Sequence, residues 1–167
     1  VAIGAEATFV ARAIDTDRKE LTDVLRAAAS HRGTAFVEVF QNCNIYNDGA
    51  FDFVREEKEN RIYLRAGEPI VFGDRGVRLA ADGSAEVVDA SAPGILVHDP
   101  SHVEPSVAFA LSRLTYDTVG ATPLGIFRSV DRLAKMCQRR GLLPLRRKAL
   151  AAAEQWMRTR FDRSDGL

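Results

Sequence analysis

Nowhere does this chain string together the roughly 18 apolar residues that a membrane-crossing helix needs, nor does it open with a charged segment, an apolar run and a small-residue cleavage site. A cytosolic location is the expectation. Cysteine is scarce as well: Cys43 and Cys137 are the two, far apart and in no C-x-x-C pair. That spacing argues against a disulfide framework and against a self-contained zinc site, so any metal role needs ligands from elsewhere. Also missing are the G-x-x-x-x-G-K-[ST] phosphate loop, the G-x-G-x-x-G fingerprint and the G-x-S-x-G nucleophile elbow. No Met opens the chain, and Val1-Ala2-Ile3-Gly4-Ala5 reads like the end of an element already under way, so a piece of a longer protein is the expectation.

What remains is the composition of one ordinary soluble domain: 167 residues, 46% hydrophobic and 28% charged. The zero formal charge is an average of two unlike parts. Residues 1–131 carry 13 Lys and Arg against 20 Asp and Glu, a net of −7, whereas residues 132–167 carry 10 against 3, a net of +7. Beyond Trp156 and Phe161 the basic tail has no aromatic platform on which bases could stack, which favours a solvated or partner-facing helix over nucleic-acid binding.

Local structure is clearest in the first 42 residues. Residues 8–14 form a β-prone run. Asp17 and Glu20 are then spaced as a capping box, and Leu21, Val24, Leu25 and Ala28 fall on one helical face until Gly33 supplies a stop. Residues 34–40 are apolar on both alternating sets of positions, which predicts a strand covered on both faces. Strand, helix and strand in this length make a parallel βαβ crossover, and ligands of such sheets gather beyond the carboxyl ends of the strands. Gln41-Asn42-Cys43-Asn44 sits at that end.

Further along, residues 50–58 predict a short helix with Asp48 as its N-cap. Residues 61–97 break into short β runs around an Asp82-Gly83 hairpin turn, predicting a small antiparallel appendage. A helix is predicted over residues 105–114 and a last strand over 123–130. From Leu133 onward two Arg-rich helical stretches are separated by Gly141 and Pro144, with Cys137 on a half-buried helix face.

Among residues with chemistry, Cys43 stands out because it follows a buried strand directly and has Asn42 and Asn44 for neighbours. By position alone the inert thiol is the favoured reading over a ligand or nucleophile. No histidine lies near it in sequence, so cysteine-protease chemistry has no support. His31, at a helix end, reads as structural. His98 and His102 flank Asp99 at i and i+4, but Pro100 breaks the helix that would align them, which favours a surface loop or helix cap over a zinc site. Gly73-Asp74-Arg75-Gly76 reads as a turn.

Taken together, Gln41-Asn42-Cys43-Asn44-Ile45-Tyr46-Asn47-Asp48-Gly49-Ala50-Phe51 resembles the beta subunits of 2-oxoacid:ferredoxin oxidoreductases, most of all the 2-oxoglutarate type. Gly4-Ala5-Glu6-Ala7-Thr8-Phe9-Val10-Ala11-Arg12 upstream looks like the end of that family's thiamine-diphosphate-binding domain. Gly67-Glu68-Pro69-Ile70-Val71-Phe72-Gly73, Leu96-Val97-His98-Asp99 and Thr122-Pro123-Leu124-Gly125-Ile126-Phe127-Arg128 follow in the family's order.

The resemblance implies an α/β fold: residues 1–42 as the end of the parallel-sheet thiamine-diphosphate-binding domain, 43–132 as a small mixed α+β C-terminal region, and 133–167 as a basic helical tail of unknown role. It implies an enzyme that decarboxylates a 2-oxoacid on thiamine diphosphate and magnesium. Electrons pass through a four-iron four-sulfur cluster to ferredoxin, the acyl group passes to coenzyme A, and an alpha subunit is the partner. Cys43 matches the last of the family's four cluster cysteines. The other three are missing here, as is the Gly-Asp-Gly and Asn motif for diphosphate and magnesium, so this chain by itself is expected to be inactive. At Asp131-Arg132-Leu133 the sequence departs from the family. The rival expectation is a non-catalytic interaction module that keeps the fold without its cofactors.

Overall fold

The computed structural model describes residues 1–131 together with Ala151 and Gln155. The predicted tail helices and Cys137 lie outside the described residues. The chain divides into two units, Val1–Val130 and Asp131–Leu167, and all the described strands belong to the first.

β1 (Phe9–Ile14), α1 (Arg18–Ser30) and β2 (Ala35–Phe40) form the anticipated crossover, with β1 and β2 parallel from the pair Phe9 and Ala35 to the pair Ile14 and Phe40. Asp17 Oδ1 caps α1 by accepting the Glu20 N–H at 3.1 Å. The reciprocal half of the capping box is replaced, because the buried Glu20 carboxylate pairs with Arg65 Nη1 at 2.6 Å. Val24, Ala27 and Ala28 pack on Phe9 and Ala11. Leu25, placed on that face by its spacing, is exposed, because the contact stripe centres on Glu20 and Val24 and leaves it at the rim. The helix ends at His31, two residues before Gly33, whose missing side chain makes room for the Thr8 hydroxyl.

β2 differs most from expectation. Phe36 is 49% and Val39 40% exposed, on opposite faces, where cover on both was predicted. β2 is the outermost strand of the four-stranded sheet, whose order is β2-β1-β7-β3, so among the described residues one long edge has no neighbour and the cover of both faces runs out there.

On the other side of β1 lies β7 (Thr122–Ser129), antiparallel to it, and β3 (Arg61–Leu64) pairs in parallel with β7. Residues 61–64 therefore belong to the main sheet, not to the predicted appendage. The appendage itself is the antiparallel trio β4 (Val71–Phe72), β5 (Arg75–Leu79) and β6 (Ala85–Asp89). At its Asp82-Gly83 turn, Gly83 takes φ +81° and Asp82 Oδ1 accepts the Ser84 N–H at 2.9 Å. Residues 94–97, predicted as a further strand, form no regular strand but an isolated bridge between Val97 and Pro69, with Leu96 bonded through its backbone to Val77 and Ile70.

Phe72 and Val77 of this trio join Ala108 and Leu111 of α3 (Ser106–Ser112) against Val10, Ile62, Leu64 and Phe127, forming the larger core. α4 (Tyr116–Val119) closes on Gly120 at φ +67°, the left-handed stop that glycine adopts without strain. The result is an α/β unit with a mixed sheet and a second small sheet.

Candidate functional site

The carboxyl ends of β1 and β2 are tied together where the Asp15 N–H donates to the Phe40 carbonyl at 3.0 Å. From there the chain makes a loop and returns into α2 (Asp52–Arg55), shorter than the predicted helix and followed by a 3-10 turn at Lys58–Asn60. Phe40 before the loop and Phe51 after it stack with ring centroids 4.4 Å apart and planes 12° apart. Both rest on the buried cluster of Ile14, Val54 and Leu124. A stacked pair of this kind pins both ends of the excursion to the sheet, so residues between them are presented from a firm base.

Within the excursion a second closure lies closer to the tip. Asn42 Nδ2 donates to Asp48 Oδ1 at 2.9 Å, while Asn42 Oδ1 accepts the Gly49 N–H at 2.9 Å. Asp48 is thereby a partner of Asn42, and the N-cap position of α2 falls to Phe51 instead. Gly49 takes φ +76°, where a side chain would be strained and its Cβ would press on Asp52 Oδ2 at 3.1 Å.

Cys43 sits inside this closure. It bridges Asn47, whose N–H donates to the Cys43 carbonyl at 2.8 Å, and its thiol is free and partly exposed. The backbone N–H groups of Tyr46 and Ile45 hold the Cys43 thiol below its ordinary pKa, against the opposing effects of burial and Asp48. Several amides directed at one sulfur favour its thiolate form, the form that ligates metal. Ile45 is 82% and Tyr46 89% exposed at the tip beside it. Among the described residues no group of three or more His, Cys, Asp or Glu is arranged to hold a metal ion. The chemistry of the Cys43 thiolate suits a single soft ligand of a cluster, and no companion ligands stand beside it among the described residues.

A charged network supports the same end of the sheet. Arg61, buried, sends Nε to the Val54 carbonyl at 2.7 Å and Nη2 to the Arg55 carbonyl at 2.8 Å. The Tyr63 hydroxyl donates to Asp17 Oδ2 at 2.7 Å. Burial acts to raise the pKa of Asp17, but the Tyr63 hydroxyl, the Glu20 amide and Arg61 outweigh it and hold the carboxyl below its usual range. Arg55 bridges Asp15 at 3.6 Å and Asp52 at 3.4 Å. These groups bond one another and the backbone, and they brace the loop's return path.

The other candidates fall elsewhere. His31 Nε2 meets Thr8 Oγ1 at 2.9 Å, a structural contact at the opposite end of β1. His98 points into the core and meets the Ile126 carbonyl, whereas His102 Nδ1 bonds the Glu104 carbonyl on the surface, so the two do not converge. Burial of a side chain at position 98 was unpredicted: the surface-loop reading fails because Nε2 has a backbone acceptor inside. Of Gly73-Asp74-Arg75-Gly76, the first two make the turn between β4 and β5 and the last two open β5.

Among curated proteins, the 2-oxoglutarate oxidoreductase subunit KorB of Mycobacterium tuberculosis is 50% identical over 139 residues, covering 79% of this chain and 37% of that protein. The chain is homologous to the beta subunits of 2-oxoacid:ferredoxin oxidoreductases. The subunit beta of a Sulfolobus species is 32% identical over 127 residues, or 70% of this chain and 41% of that protein. That of Saccharolobus solfataricus is 35% identical over 69 residues, or 41% of this chain and 22% of that protein. The chain thus spans less than half the length of these relatives. No family model matches it, and no solved structure is significantly similar. Among the described residues no helix is long and apolar enough to cross a membrane.

Proposed function

We propose that this chain is the C-terminal part of the beta subunit of a 2-oxoglutarate:ferredoxin oxidoreductase, and that Cys43 supplies one thiolate to its four-iron four-sulfur cluster. One observation carries the reading: the cysteine that the family resemblance singles out lies in a loop at the carboxyl end of the parallel pair β1 and β2, partly exposed and faced by backbone N–H groups. Ligands of α/β sheets gather at that end, and hydrogen bonds to cluster sulfurs tune the potential. The identity of 50% to a 2-oxoglutarate oxidoreductase subunit supports the choice of 2-oxoacid.

On this reading residues 1–42 close the thiamine-diphosphate-binding domain, residues 43–132 form the beta subunit's C-terminal domain, and the basic tail keeps no assigned role. The complete cytoplasmic enzyme converts 2-oxoacid and coenzyme A to acyl-coenzyme A and carbon dioxide, and its two electrons leave one at a time to ferredoxin. Thiamine diphosphate, with magnesium, supplies the decarboxylation chemistry, and its ligands belong to polypeptide outside this chain. What these residues contribute is one sulfur, the loop that fixes it and a scaffold for the alpha subunit, with the small sheet of β4, β5 and β6 as the surface assigned to that partner. In the complete enzyme, Cys43→Ser abolishes ferredoxin reduction while thiamine-diphosphate binding persists. Retention of normal cluster absorbance and electron paramagnetic signal in that variant overturns the proposal.

A further inference from the structure

We propose that Asn42 is a positioning residue whose side-chain amide latches the two ends of the 42–49 loop and so fixes which way the Cys43 sulfur and its backbone donors face. The inference rests on the assignment of Cys43 as a cluster ligand and extends it to a residue that does not itself touch the cluster.

The geometry separates the latch from the general anchoring of the loop. Phe40 and Phe51 hold its outer ends by stacking, and that contact involves neither polar atoms nor the residues around the sulfur. Asn42 acts one layer further in. Its amide offers a donor and an acceptor at once, and both are used across the loop, on Asp48 and on the Gly49 N–H. Since Asn42 directly precedes Cys43, and Asp48 and Gly49 directly follow the bridge partner Asn47, the latch fixes the register of the Cys43 and Asn47 bridge. That register places the backbone amides of residues 45 and 46 beside the sulfur, while the Asn47 N–H stays on the Cys43 carbonyl. Alanine at 42 removes both bonds. Serine keeps a hydroxyl acceptor but reaches a shorter distance.

A weaker latch lets those amides turn to solvent. The sulfur then carries more electron density, the extra charge of a reduced cluster is less well stabilised, and the midpoint potential falls. A role in folding alone leaves the potential where it is.

The test compares Asn42→Ala with wild type in the assembled oxidoreductase, with Asn44→Ala as a neighbouring control. The midpoint potential and electron paramagnetic spectrum of the cluster are read alongside amide hydrogen exchange over residues 45–49. The expected result for Asn42→Ala is a lower potential, an altered g-tensor and exchange at least about tenfold faster, with Asn44→Ala like wild type. If the alanine variant does not assemble, Asn42→Ser is measured in the same way and must show a smaller shift in the same direction. Unchanged potential and exchange in an assembled Asn42 variant overturn the inference. The two ideas fail separately: a Cys43→Ser enzyme that keeps its cluster removes the ligand assignment, whereas a wild-type-like Asn42→Ala beside a cluster-free Cys43→Ser removes only the latch.

Discussion

His98 Nε2 lies 2.7 Å from the carbonyl oxygen of Ile126. A carbonyl only accepts, so Nε2 carries the proton, and the bond joins the loop after the small sheet to the central strand β7. Nδ1 is buried with no hydrogen-bond partner among the described residues. Burial is the main reason the His98 pKa falls below its ordinary value of 6.5, opposed by the Ile126 bond and by Asp99. The unfolded chain therefore binds a proton that the folded chain refuses. Stability is fully present above the unfolded value and declines as pH drops below about 6.5, levelling off beneath the depressed folded value. Denaturant titrations between pH 8 and pH 5 check this, with His98→Gln losing about 1 to 3 kcal/mol at pH 8 but showing a flatter acid limb.

Gly125 in β7 takes φ +117°, and a Cβ there would meet the Leu64 carbonyl oxygen at 2.9 Å. Both the backbone and the neighbouring strand reject a side chain. Gly125→Ala is expected to cost about 2 to 4 kcal/mol, lowering the melting temperature by roughly 5 to 15 °C. A melting curve within a degree of wild type contradicts the close packing of β3 on β7.

Arg61 answers two backbone carbonyls, those of Val54 and Arg55, through separate nitrogens of one planar group. Lysine keeps the charge but lacks this fork. Arg61→Lys should therefore destabilise the chain by about 1 to 3 kcal/mol, and amide exchange in α2 should rise first because its carbonyls lose their partners.

How much of this was legible in the sequence varied with the range of the interaction. The βαβ unit was readable because capping and periodicity are local: Asp17 and Val24 announce their roles within a few residues. The burial of β2 was not, since Phe36 and Val39 show what a strand is suited to and not whether a neighbour is present. Residues 62–64 look like any short β run, and only pairing with β7, about 60 positions away, moves them to the main sheet. At the site, Cys43 and its asparagines were visible as an oddity after an apolar run. The latch was hidden because Asp48 also suits a helix cap, and nothing local says that Asn42 claims it. The inward turn of His98 was hidden for the same reason, its acceptor being the Ile126 carbonyl 28 residues away.

The most direct measurement is a high-resolution density map of the complete oxidoreductase containing this chain. The account predicts the Cys43 sulfur bonded to an iron atom of the cluster, with the amides of Ile45 and Tyr46 turned toward that sulfur. A cluster held by four other ligands, with Cys43 away from any iron, contradicts it.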